Sequence, residues 1–462
     1  MSLTHNEPGF HGLIGVARED ITPPVGIYAR NWGAAEHDVA EGIHRPLTCT
    51  VLTLRPQLST LHGQPSTCVL ASLDLGWWRS VEDEWYVRGH LIDELSLEPA
   101  SVMIALSHTH SGPGICREDR EKPGGHLIGP YLERVREAAV SAARRAIETA
   151  SPATITWSYG NCGLAQNRDM QDPNAARIAT GFNPDGPAAD DTLLVGRVTD
   201  DGGRNLAVLV NYACHPVTLA FQNRLISPDY IGAMREVIED QTSGLCLFFQ
   251  GASGELSPRE HYTGDTAIAD KNGRELGYAV LSTLEGMLPS ATGLLYDGVV
   301  ESGAPLAMWK RTPRDMSTEL HAAMIEVELP VKDLPTVAEF DREIAACTDR
   351  VQTERLARQR RVRLNVGDGA TSKQRVWLWR VGDGILVGCG NEPYSLLQTS
   401  LRSRFPGVPI TVMNCVNGWG GYLPPVERYA HDIYQVWQTP FEQGSLEMLV
   451  EACELEVRKL LE

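Results

Sequence analysis

Two histidines one residue apart, His108 and His110, close the apolar run in ALSHTHSGPG (105–114), immediately before a Gly-Pro turn. On a strand, residues i and i+2 point to one face. Such a pair can therefore offer one or two imidazoles to a metal ion, with hydroxyl or backbone groups fixing the ring orientation from behind. The spacing alone is weak, because a histidine at a strand end also packs well, and the pattern lacks an HxHxDH form. A further histidine, in Cys214-His215-Pro216, ends a second apolar run at a proline. Cys214, its neighbour, points the other way along a strand and reads as a buried structural thiol. Glu392 follows Cys-Gly-Asn and precedes a proline, so it is a carboxylate held on a turn. Two histidines and a carboxylate are the donor set of a catalytic zinc site with a position left open for water. GASGELSP (251–258) is not the GxSxG nucleophile elbow, since neither Ser253 nor Ser257 has those flanks. Ser257 is either a turn serine or a group of the site.

The elements that must position these residues are legible as apolar, β-rich runs at 66–78, 100–110, 204–216, 245–258 and 384–394. Each reads as a strand buried on both faces and ends in a polar cluster with Gly or Pro. The last polar residues are Asp74, His108 with His110, His215, Glu255 with Ser257, and Glu392; Asp74 and Asp229 read as structural or supporting. Helical periodicity fills 131–150, 227–241 and about 335–363, the last Arg-rich at its end, which reads as a solvated helix face favoured by the helix dipole. An α/β fold follows, with strand ends converging on one edge to form a site. No repeat, low-complexity tract or Pro/Ser-rich linker divides the chain. Residues 1–462 read as one catalytic unit with a possible seam near 296–334, because strand-end polar groups stand on both sides of it.

Composition sets the surroundings. The 462 residues are 42% hydrophobic and 22% charged, ordinary for a globular protein, and carry a formal net charge of -18. That charge, with no basic run, argues against nucleic acid or an anionic membrane surface as partner. No stretch of about 20 apolar residues exists to span a membrane. MSLTHNEPGF has no secretion-signal pattern, and ten cysteines lie scattered without a CxxC. Free thiols in a reducing cytoplasm are the expectation. The ten tryptophans read mostly as core, with the lining of a substrate pocket as the alternative for some of them.

Taken in series, the motifs resemble the neutral (non-lysosomal) ceramidase family in its catalytic domain. GVAREDITPPVG (15–26) and AEGIHRPLTCTVLTL (40–54) are similar to that family's opening, and SHTHSGPG to its most recognisable motif. YACHP, QGASGELSP, GNEPY and GYLPPVERYAHDIY follow in the family's order, so the resemblance runs from about residue 12 to 450. It implies layered mixed β-sheets with flanking helices and one zinc ion per chain, held by His108, His215, Glu392 and Tyr422. It also implies His110 beside the metal as a proton carrier, Arg168 and Tyr434 facing the scissile carbonyl, and Ser257 as the active-site serine, here an anchor for a polar substrate group. Water activated by zinc would then cleave an amide. The chain departs from the family at Arg259, where Asn is usual, at Glu255 in place of Asp, and at the NEP context of Glu392. It also ends without the family's C-terminal β-domain. These departures shift the expected substrate from ceramide to a smaller or more polar N-acyl compound. A zinc esterase or lactonase on the same site, and a non-catalytic ligand-binding relative, are the alternatives.

Overall fold

A computed structural model describes residues 3–57 and 67–462. Its larger sheet has eight strands, in the order Leu245–Gln250, Asn205–Tyr212, Thr192–Asp200, Ser151–Asn161, Gly9–Asp20, Thr48–Arg55, Cys68–Leu73 and Val102–Leu106. The outermost pair at each end is parallel and the inner pairs are antiparallel. A parallel pair needs a crossover, and helices Tyr230–Thr242 and Val81–Leu95 supply the two. The smaller sheet orders Leu320–Pro330, Thr371–Val381, Gly384–Cys389 and Ile410–Met413, the last two parallel across helix Leu396–Arg404.

The two sheets face each other. Phe10, Ile14, Leu70 and Met103 of the larger share one core with Trp377, Trp379 and Leu386 of the smaller. Helices Val81–Leu95 and Ile128–Glu148 cover one end of the larger sheet's outer face, and Tyr230–Thr242 with Thr266–Gly286 the other. Helices Arg350–Val366, Leu396–Arg404 and Ser445–Leu461 cover the smaller sheet. The result is four layers: helix, sheet, sheet, helix. Strands with a layer on each face are buried throughout, as Cys68–Leu73 and Val102–Leu106 are, which is why they read as unbroken apolar runs. This is the mixed α/β architecture expected from the sequence.

Four expectations need correction. The run at 66–78 forms a strand only over Cys68–Leu73, and Ser66 lies outside the described residues. The strand expected to reach His110 stops at Leu106, because His108 sits at φ +65°, in the left-handed region. The i, i+2 alternation of a strand therefore does not govern His108 and His110. The segment 335–363 is two helices, Val337–Ala346 and Arg350–Val366. Thr336 caps the first through a capping box with Glu339, and Asp349 caps the second by accepting from Gln352 N–H. Nor is the arginine-rich end a solvated face: Arg361 and Arg363 are buried. The stretch 296–334 holds parts of a hairpin, Thr292–Glu301 with Pro305–Pro313, and then the edge strand of the smaller sheet.

Candidate metal centre

Strand ends from both sheets meet at one point. His108 stands in the turn after Val102–Leu106, and His215 in the turn after Asn205–Tyr212. Glu392 follows Gly384–Cys389 and pairs in parallel with Tyr422. His108 Nε2 lies 3.2 Å from His215 Nε2 and 3.1 Å from Glu392 Oε2, which is also 3.1 Å from His215 Nε2. Tyr422 Oη is 3.4 Å from His215 Nε2. All four side chains are buried.

The tautomers follow from the second nitrogen of each ring. His108 Nδ1–H donates to the Gly76 carbonyl at 3.1 Å, and His215 Nδ1–H to the Ser253 carbonyl at 2.7 Å. Each neutral ring then turns an Nε2 lone pair inward. Burial, aided by Arg168, lowers the pKa of His215 to about 3, so this ring is neutral across the physiological range. Two lone pairs 3.2 Å apart repel unless a cation sits between them. Donors about 2.0–2.2 Å from a tetrahedral ion are separated by about 3.3–3.6 Å, slightly more than the 3.1 and 3.2 Å found here. Burial disfavours the Glu392 charge, and with both facing Nε2 atoms unprotonated that charge adds to the demand for a cation at the centre. Trp419 Nε1–H donates to Glu392 Oε1 at 2.6 Å, leaving Oε2 for the centre. The donor set fits zinc in number, type and protonation, apart from Tyr422, whose phenol burial pushes well above its usual range. Arg168 opposes that shift, donating to Tyr422 Oη at 3.3 Å. Cys415 Sγ also comes near, 3.4 Å from His108 Nδ1, but on the far side of that ring. Its thiol is driven upward by burial, so it packs as a neutral group.

His110 adjoins the centre, its Nε2 3.4 Å from His108 Nε2 and its buried Nδ1 without a partner among the described residues. The two histidines with Glu392, Tyr422, Tyr434, Trp77, Trp419, Arg358 and Gln438 line a cleft of about 20 Å³, the room one water molecule takes. Tyr434 stands edge-on to Tyr422, with ring centroids 5.6 Å apart. Arg168 lies behind Tyr422 and His215, donating twice to the Gly254 carbonyl. Ser257 is held in a short antiparallel pairing opposite Gln166, and its buried Oγ has no partner among the described residues. No hydrogen bond joins it to His110 or to the four candidate ligands. Asp74 pairs with Arg235, and Asp229 caps helix Tyr230–Thr242 while accepting from Leu219 N–H, so both are structural.

Sequence reasoning missed Arg358, and it missed the roles of Trp419 as a donor to Glu392 and of the Ser253 carbonyl as an acceptor from His215. Trp419 sits in NGWGGY, where the glycines and a left-handed Asn417 announce a tight loop but not an indole aimed at a carboxylate. Of the ten tryptophans, expected mostly as core with pocket lining as the alternative, four stand at the site: Trp77 and Trp419 line the cleft, Trp32 lies 5.3 Å from the His110 ring, and Trp437 packs against Tyr434.

No known family's sequence model matches the chain. The fold matches that of the neutral ceramidase from Pseudomonas aeruginosa with a TM-score of 0.67 and 16% identity, over 98% of this chain and 75% of that one. A structure described as ceramidase complexed with C2 matches with a TM-score of 0.67 and 14% identity, over 98% and 76% of the two chains. The chain thus has a neutral-ceramidase-like fold, as its motif series implied.

Proposed function

We propose that this protein is a zinc-dependent hydrolase that cleaves the amide bond of an N-acyl compound. The observation that carries this reading is the convergence of two inward-facing imidazole Nε2 atoms and Glu392 Oε2 within 3.2 Å, beside a cleft. His108, His215, Glu392 and Tyr422 hold one zinc ion, oriented from behind by Trp419 and by the Gly76 and Ser253 carbonyls. When bound, zinc supplies Lewis acidity and lowers the pKa of water towards about 7.

The chain's own residues do the rest. Tyr434 presents a hydroxyl to the charge that develops on the amide oxygen, and Arg168 adds a fixed positive charge behind Tyr422. His110, with an unpartnered Nδ1, moves a proton to the departing amine. Ser257 Oγ anchors a polar group of the substrate. Trp77, Trp419 and Arg358 wall the cleft in which the amide is held.

Elemental mass spectrometry on the wild type and on His215→Ala, purified alike, tests the centre. About one zinc per wild-type chain, lost in the variant together with hydrolysis of short N-acyl amides, is expected. Folded wild-type protein that takes up no zinc when supplied with it sinks the reading. Esters with the same acyl groups, run in parallel, separate amidase from esterase.

A further inference from the structure

Arg358 lines the cleft beside Tyr434 and faces the space a substrate would take. It projects from helix Arg350–Val366 to stand among His110, Tyr434 and Trp77. Its guanidinium lies 5.9 Å from the Trp77 ring, and that ring is 4.9 Å from His110. One nitrogen donates to the Asn31 carbonyl, Nε pairs with Glu354 at 3.4 Å, and the guanidinium also hydrogen-bonds the Tyr434 side chain. Behind it, Asp119 is shared by Arg79, Lys122 and Arg361. Glu354 feels the same group, its carboxyl lowered, against burial, by Arg358, Arg79, Lys122 and Arg361. Four cations thus meet two carboxylates, and Arg79 and Arg361 are 5% and 9% exposed. Burying unpaired positive charge is costly. Of these cations Arg358 is the one that lines the cleft, and in a chain of net charge -18 it offers that wall to an anion.

We propose that the substrate carries an anionic group, a carboxylate or its like, within a few bonds of the scissile amide, and that Arg358 selects it. A guanidinium matches a carboxylate with two parallel N–H donors, and Trp77 beneath it supplies a flat apolar rest. This rests on the amide-hydrolase reading for the reaction, though not for the binding of the anion.

The test compares kcat/KM for N-butyrylglycine and N-succinylethylamine, which place the carboxylate on the amine and acyl halves, with that for neutral N-butyrylglycinamide. The zinc-loaded full chain is expected to prefer at least one anionic probe by about tenfold or more. Arg358→Gln brings the ratio to within about threefold, Arg358→Lys leaves it intermediate, and Glu354→Gln raises it. A ratio makes the readout independent of any general loss of folded enzyme. An unchanged ratio in Arg358→Gln, or a wild type that prefers the neutral probe, overturns the proposal. Calorimetric binding of N-butyrylglycine and N-butyrylglycinamide to the zinc-stripped full chain provides the second arm. Discrimination that depends on Arg358 without hydrolysis of any probe supports the anion site and defeats the hydrolase reading. Hydrolysis without such discrimination does the reverse.

Discussion

At the scale of single residues, the site is organised by what each second nitrogen or oxygen does. His108 and His215 spend Nδ1–H on backbone carbonyls, and Glu392 commits Oε1 to the Trp419 indole. Each donor thereby has one atom left, and all of these point inward. Trp419→Phe keeps an aromatic side chain but removes the indole N–H that anchors Glu392 Oε1, so Glu392 becomes free to rotate. Zinc affinity, read by competition with a chelating dye, is expected to fall about 10–100-fold; wild-type affinity in this variant means the backbone alone orients Glu392. His108, His215 and Glu392 were legible in the sequence because each ends an apolar run at a Gly or Pro. Trp419 and Arg358 were not. Their roles depend on which atom meets which across more than 25 residues of intervening chain, and neither periodicity nor residue type records that.

At the scale of elements, the strands were legible and their ends were not. Apolar runs identify Val102–Leu106 and Asn205–Tyr212 as buried strands, whereas the left-handed turn at His108 replaces the strand alternation that seemed to align His108 with His110. Helix Arg350–Val366 shows the opposite error: its arginines looked solvated because the sequence does not reveal what packs against them. Asp119 does, nearly buried and shared by Arg79, Lys122 and Arg361. Burial penalises its charge, but Arg361 and Arg79 outweigh that and lower its pKa. Asp119→Asn leaves three cations facing a neutral amide, and breaking such buried pairing costs about 3–5 kcal/mol. Chemical denaturation is expected to show a loss of that size. A loss below about 1 kcal/mol shows instead that water already screens the cluster and that the helix is held by its apolar face.

At the scale of the whole molecule, the centre joins the two sheets, since His108 and His215 follow strands of the larger and Glu392 one of the smaller. Two buried carboxylates brace the segments that bring them together. Glu255 accepts from Ser395 N–H, three residues past Glu392, and Asp229 accepts from Leu219 N–H, four past His215. Burial raises Glu255 from 4.5 to about 7 and Asp229 from 3.8 to about 6, only partly offset by these hydrogen bonds. A carboxyl with a raised folded-state pKa binds its proton more tightly folded than unfolded. Its contribution is therefore most favourable below the unfolded value and is lost as pH climbs through the folded one. For Glu255 that window runs from about 4.5 to about 7, and the full swing is roughly 3 kcal/mol. Glu255→Gln keeps an acceptor for Ser395 and removes the titration. The stability difference between wild type and variant, measured by denaturant unfolding at intervals from pH 4.5 to 7.5, is expected to move steadily in the variant's favour as pH rises. A difference that stays flat means the Glu255 carboxylate is solvated as well in the folded chain as in the unfolded one, and that its place behind the centre carries no electrostatic cost.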